Sequence, residues 1–193
     1  MTMKALLLNG AKTGDGAVDR AGDILREELQ ARGWAVDAFA LRELKIAPCS
    51  GCFGCWIKNP GRCGTDDAGQ TLARLYVQCD LMALLTPVTF GGYSSEIKKA
   101  VDRMICAALP FFMKVQGEVH HRLRYDQQAH LLAVGVLDEP DAESELVFQT
   151  LVARNARNFG SPEHVAGTLL KDQTEEAMAR QVRGLLARLE MSA

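Results

Sequence analysis

The chain carries no excess of positive charge: 22 Lys and Arg face 24 Asp and Glu, for a formal net charge of -2. A protein that neutralises a phosphate backbone needs a basic footprint, so no nucleic-acid partner is expected. No apolar run approaches the roughly 18–20 residues that span a bilayer, so no membrane partner is expected either. Met1-Thr2-Met3-Lys4 leads straight into a short apolar stretch with no small-residue cleavage site, the pattern of a cytoplasmic protein. No repeat or low-complexity segment interrupts the sequence. With 48% hydrophobic residues it has enough apolar material for a core and is not a disordered composition.

What the 193 residues do contain is a rhythm of apolar run and amphipathic helix. The runs are 5–8, 34–39, 81–85, 131–136 and 165–169. Four are nearly continuous, as strands buried on both faces are; the second alternates, as an edge strand does. Between them, helices are expected over 17–32, 67–78, 94–108, 141–159 and 172–189. Their inward faces would carry Val18, Ala21, Leu25 and Leu29; Ile97, Val101, Ile105 and Ala108; Leu146, Phe148, Leu151, Val152 and Phe159; and Met178 through Leu189. Asp67 with Gln70, and Asp172 with Glu175, have capping-box spacing, and Ser94 is placed to cap the third helix. The fold class expected is α/β: a three-layer, doubly wound, five-stranded parallel sheet in the order 2-1-3-4-5, forming one domain over 1–193. A cysteine-rich loop at 45–66 and an insertion at 109–128 break the rhythm, and Gln116-Gly117 suits a short hairpin turn within the insertion.

In such sheets ligands sit beyond the carboxyl ends of the strands. After the first strand comes Asn9-Gly10-Ala11-Lys12-Thr13-Gly14-Asp15-Gly16, then a helix. Glycine-rich turns into helix N-termini suit a phosphate, here through Lys12, Thr13 and backbone amides; a plain flexible turn is the alternative. Neither G-x-G-x-x-G nor G-x-x-x-x-G-K-[ST] is present, which excludes the dinucleotide fingerprint and the Walker loop. After the third strand comes Thr86-Pro87-Val88-Thr89-Phe90-Gly91-Gly92-Tyr93-Ser94. Its glycines, flat rings and backbone amides suit a planar heterocycle, against the alternative of an ordinary loop before a capped helix.

Four of the six cysteines fall close together: Cys49, Cys52, Cys55 and Cys63, as C-x2-C-x2-C-x7-C. Zinc ribbons use two separated C-x2-C pairs; the triple spacing looks more like a [4Fe–4S] site. The alternatives are a packed loop without a cluster, redox-active thiols, or simply buried ones. Phe53 and Trp56 would pack this loop. Cys79 and Cys106 are expected to be buried and structural. His120 and His121 are not at metal-ligand spacing, and His130 and His164 stand at strand starts.

The segment T-P-V-T-F-G-G-Y-S-S-E-I-K-K-A-V-D-R resembles the flavin loop and following helix of flavodoxin-like NAD(P)H-dependent FMN reductases. P-C-S-G-C-F-G-C-W-I-K-N-P-G-R-C-G-T-D-D resembles the branch of that family that includes the iron–sulfur flavoproteins. The resemblance runs in order and spacing over about the first three quarters of the chain. It implies FMN as cofactor, with Gly10, Ala11, Lys12, Thr13, Ala17 and Val18 about the phosphate. Thr86, Pro87, Val88, Thr89, Phe90, Gly91 and Gly92 would lie along the ring and ribityl chain, and Leu137-Asp138-Glu139 would close the far side. The first loop departs from the family's pattern: Gly10-Ala11-Lys12-Thr13 stands where G-S-P-R is common, and Ala17-Val18 where Asn-Thr often stand.

The function implied is an oxidoreductase that moves electrons from NAD(P)H through flavin to a small-molecule acceptor, such as a quinone, a nitro compound or free flavin. No Ser-His-Asp or paired-carboxylate constellation is needed, because the cofactor carries the chemistry. The rival readings are an electron carrier with a [4Fe–4S] cluster beside FMN, and a non-catalytic interaction module. A homodimer or homotetramer is expected, with 49–63 and 109–128 near the contact.

Overall fold

In the computed structural model, which describes residues 2–191, five strands form one parallel sheet. In chain order the strands are β1 (Lys4–Asn9), β2 (Ala35–Ala40), β3 (Leu81–Pro87), β4 (Ala108–Val115), β5 (Glu118–Leu123), β6 (His130–Leu137) and β7 (His164–Leu170). The large sheet runs β2-β1-β3-β6-β7, while β4 and β5 pair only with each other. This is the doubly wound order expected, with the insertion standing outside the sheet. The alternating second run is indeed at an edge. The central strands β3 and β6 are buried almost end to end, which is why their sequence is continuous rather than alternating.

Helices cover both faces: α1 (Gly16–Ala31) and α6 (Glu175–Met191) on one, and α3 (Ala68–Tyr76), α4 (Ser95–Arg103) and α5 (Ala142–Phe159) on the other. A single-turn helix, α2 (Gly54–Ile57), lies in the cysteine loop. Leu25, Leu29, Met178 and Val182 fill one core layer; Leu72, Ile97, Phe148 and Val152 fill the other.

Three residues expected on inward helix faces lie elsewhere, and one of them, Ala108, begins β4 instead of ending the helix. Leu146 is 65% exposed, on the outer side of α5, because the apolar run Leu146-Val147-Phe148 spans more than one face and Phe148 takes the core. Ile105 is 37% exposed, because α4 ends at Arg103 and a 3-10 turn over Met104–Ala107 rotates it away. Neither capping box forms as a box. Asp67 caps α3 through Gly69 N at 2.9 Å, but Gln70 turns its amide to Cys63 O and Thr65 O. The last helix starts at Glu175, with Thr174 Oγ1 accepting from Ala177 N at 3.3 Å. Asp141 and Ser94 cap α5 and α4.

The hairpin turns at Gln116-Gly117, both with positive φ (+50° and +85°), the arrangement of a two-residue I′ turn. It is docked on α5 through Glu118, whose Oε1 accepts from Arg154 at 2.6 Å and Arg157 at 3.0 Å, and through His120, whose ring nitrogens meet Glu118 and Asn158. Those partners, Arg154 first and His120 next, hold the Glu118 carboxyl down at about 2.

Candidate functional site

The loops after β1 and β3 leave neighbouring strands and are tied together by Ser94. Its Oγ donates to Gly10 O at 2.8 Å, and its N–H donates to Thr86 Oγ1 at 2.8 Å. Thr86 is wholly buried and its own hydroxyl donates to Pro87 O at 2.9 Å. The approach is close enough to require glycine: a Cβ on Gly10 would lie 2.4 Å from Ile97 Cγ1 and 2.6 Å from Ser94 Oγ. Ser94 was legible as a cap, but not as the link between two loops, because Gly10 lies 84 residues away in sequence.

The first loop folds on itself. Asn9 Oδ1 accepts from Ala11 N at 2.8 Å, and Asp15 Oδ2 accepts from Lys12 N at 2.7 Å. Ala17 and Val18 point into the core, and Val18 N donates to Asp15 O. Of the residues expected about a phosphate, Lys12 and Thr13 are exposed, while Ala11 and Val18 are inside. The first amides of a helix have no intrahelical acceptor, and Gly16 and Ala17 begin α1. Arg20, one turn further, reaches back: its Nη1 is 3.7 Å from where a Cβ on Gly16 would stand, and its Nη2 donates to Lys171 O at 3.3 Å. The loop's own motif, Gly10-Ala11-Lys12-Thr13, contains no guanidinium. The signal was a basic residue four positions after the glycine that begins the helix.

The second loop makes a tight turn in which Thr89 and Gly92 exchange backbone hydrogen bonds at 3.0 and 2.9 Å. Phe90 and Gly91 both have positive φ (+51° and +71°). Gly91 is buried against Val147, whereas the Phe90 ring stands fully in solvent. Val88 is held by Val136 O at 2.9 Å. Tyr93 lies edge-on to Phe148 and accepts from Asn155; burial pushes its phenol up. On the far side, Asp138 is engaged by Lys171 at 3.0 Å.

The cysteine loop lies on the α3–α4 side. Cys49, Cys52, Cys55 and Cys63 line one cavity of about 80 Å³, together with Arg103 and Ile105. All four are free thiols. Among the described residues no three His, Cys, Asp or Glu side chains form a ready-made metal-ligand group. The Gly54 amide and the Ser50 hydroxyl lower the Cys52 thiol, while burial raises Cys55. Trp56 packs the loop onto the hairpin: its Nε1 donates to Ala108 O at 3.0 Å, and its ring lies 4.9 Å from that of His121. Cys79 and Cys106 are buried as expected, and burial pushes Cys79 up to about 12. A larger cavity of about 520 Å³, walled by Tyr76, His121, Asn155 and Phe159, adjoins the first at Cys49, Gly51 and Ile105.

Residues 3–138 match the family described as NADPH-dependent FMN reductase. An iron–sulfur flavoprotein of Archaeoglobus fulgidus is 30% identical over 103 residues, 53% of this chain and 46% of that protein. The chain thus spans about half the length of the curated relatives it matches. Among solved structures, the NAD(P)H:quinone oxidoreductase from Methanothermobacter marburgensis superposes with a TM-score of 0.71 at 12% identity, covering 95% of this chain and 97% of that one. An FMN-dependent NADH-azoreductase from Bacillus anthracis, in complex with FMN, gives 0.62 at 12% identity, covering 98% and 99%. At such identities the two structures speak to the fold. No helix among the described residues is long and apolar enough to cross a membrane.

Proposed function

The chain belongs to the NADPH-dependent FMN reductase family, and on that premise we propose that it is an FMN-dependent oxidoreductase drawing on NAD(P)H and serving a small-molecule acceptor. The observation that carries this reading is the pair of loops stitched at Ser94, side by side at the carboxyl ends of β1 and β3. Bound FMN would supply hydride acceptance from a nicotinamide and electron transfer to the acceptor. The amides of Gly16 and Ala17, with Lys12 and Arg20, are the groups suited to its phosphate. Because Thr89 and Gly92 bond each other, the Phe90 and Gly91 amides at the tip of the turn are the ones suited to the ring's polar edge, and the Phe90 ring offers a flat apolar face to a quinone or nitroaromatic acceptor. Oxidation of NADH or NADPH by the FMN-loaded full chain, with a quinone, a nitroaromatic or free FMN as acceptor, tests this. Steady turnover is expected; FMN bound without any NAD(P)H oxidation contradicts it.

A second reading concerns the cysteines. An all-thiol donor set favours iron–sulfur groups over hard cations. All four thiols share a cavity with a buried guanidinium whose Nε–H has no acceptor, so the residues present fit such a group. Cys49, Cys52, Cys55 and Cys63 would hold a [4Fe–4S] cluster, which would supply one-electron transfer. Iron and acid-labile sulfide in anaerobically prepared protein test this.

The exposed Phe53 and Ile57 of the cysteine loop, with Phe111, Phe112 and Val119 of the hairpin, support a homodimer or homotetramer built through this face.

A further inference from the structure

Arg103 ends α4 and is only 2% exposed, so its guanidinium has to find partners inside the protein. Nη1 donates to Asp67 Oδ2 at 2.8 Å and to Ala47 O at 2.9 Å; Nη2 donates to Thr65 O at 3.3 Å. Ala47 lies just before Cys49, and Thr65 just after Cys63. Asp67 reinforces the grip by accepting from Ala47 N at 2.9 Å while it caps α3. Arg103 therefore fastens both ends of the cysteine loop from a helix outside it. Its third nitrogen is unspent: Nε is buried and has no hydrogen-bond partner. A buried donor left without an acceptor costs as much as a lost hydrogen bond. This one belongs to a side chain lining the cavity that the four thiols share.

We propose that Arg103 is a positioning residue for an iron–sulfur group held by Cys49, Cys52, Cys55 and Cys63: it sets the span of the loop, and its Nε–H donates to a sulfur of that group. The inference rests on the cluster reading above. Reduction adds negative charge to such a group, so the donated hydrogen bond strengthens and favours the reduced state.

The test uses the full chain, reconstituted anaerobically with ferrous iron and sulfide and reduced with dithionite. Pulsed EPR on wild-type protein carrying 15N at arginine Nε is expected to show a nitrogen coupling to the cluster. Arg103→Lys keeps a charge beside Asp67 but has no Nε–H. It is expected to retain iron, lose that coupling and make reduction at least tenfold less favourable, about 59 mV for one electron. A paramagnetic cluster with no arginine coupling, or an Arg103→Lys midpoint equal to wild type, overturns the role of Arg103 and leaves the cluster reading standing. Wild-type protein that takes up neither iron nor sulfide overturns both. If the variant does not fold, the wild-type coupling decides.

Discussion

The Arg103 guanidinium and the Asp67 carboxylate meet at 2.8 Å with both side chains almost wholly out of solvent, and they close the cysteine loop at its base. Burial alone would raise the Asp67 carboxyl, but the Arg103 hydrogen bond and the amides of Ala47 and Gly69 outweigh it and hold it below its ordinary 3.8. A carboxylate with a depressed folded pKa contributes stability that is present above the ordinary value and lost as pH falls through the folded one. Asp67→Asn should therefore unfold more easily at pH 7, by about 3–5 kcal/mol for a broken buried pair. The gap from wild type should narrow below pH 3.8. Urea melts at both pH values check this.

Gly10 has no room for a side chain. Gly10→Ala should force Ile97 and Ser94 away from the β1 loop and cost about 1–3 kcal/mol. It should also weaken FMN binding at least tenfold, because the link between the two loops is broken. Thermal melts and FMN titration read the two effects separately.

Asp15 puts a carboxylate where a phosphate is expected, on the amide of Lys12. Asp15→Asn removes the like charge and should tighten FMN about fivefold, from roughly 1 kcal/mol between unit charges 4 Å apart in water. Lys12→Ala should weaken FMN by a similar factor. Riboflavin, which has no phosphate, should bind all three proteins alike.

Phe90 holds a left-handed conformation that suits asparagine better, at the position before a glycine. Phe90→Asn should stabilise the fold by about 1 kcal/mol. If the exposed ring serves the acceptor, turnover with aromatic acceptors should fall while FMN affinity holds. Equal turnover would remove Phe90 from the site.

Replacing Phe111 and Phe112 together with serine removes two rings that are each 64% exposed on the hairpin. Wild type should sediment as a dimer or tetramer at micromolar concentration, and the double variant as a monomer. A monomeric wild type contradicts the assembly proposed.

The sheet was readable because its signals are local. The unbroken runs 81–85 and 131–136 became the buried centre, and Gln116-Gly117 became the hairpin turn. The two loops that follow β1 and β3 were readable from glycines next to strand ends. The links between elements were not. Ser94 reaches Gly10 across 84 residues, and Arg103 reaches Asp67 across 36, so no spacing rule detects either. Arg103 does sit three residues beyond Ala100 and six beyond Ile97, on the buried face of α4, which is where a charged residue calls for a partner. Leu146 misled for the converse reason: an apolar run crosses more than one helix face, and only packing decides which residue goes in.

The central claim is that the rim formed by the loops after β1 and β3 binds FMN. Calorimetric titration of the full chain with FMN and with riboflavin tests it most directly. Saturable binding of one FMN per chain is expected, with weaker binding of riboflavin and FMN binding at least tenfold weaker in Gly10→Ala. No heat of FMN binding at millimolar ligand would contradict it, and would leave a flavodoxin-like interaction module.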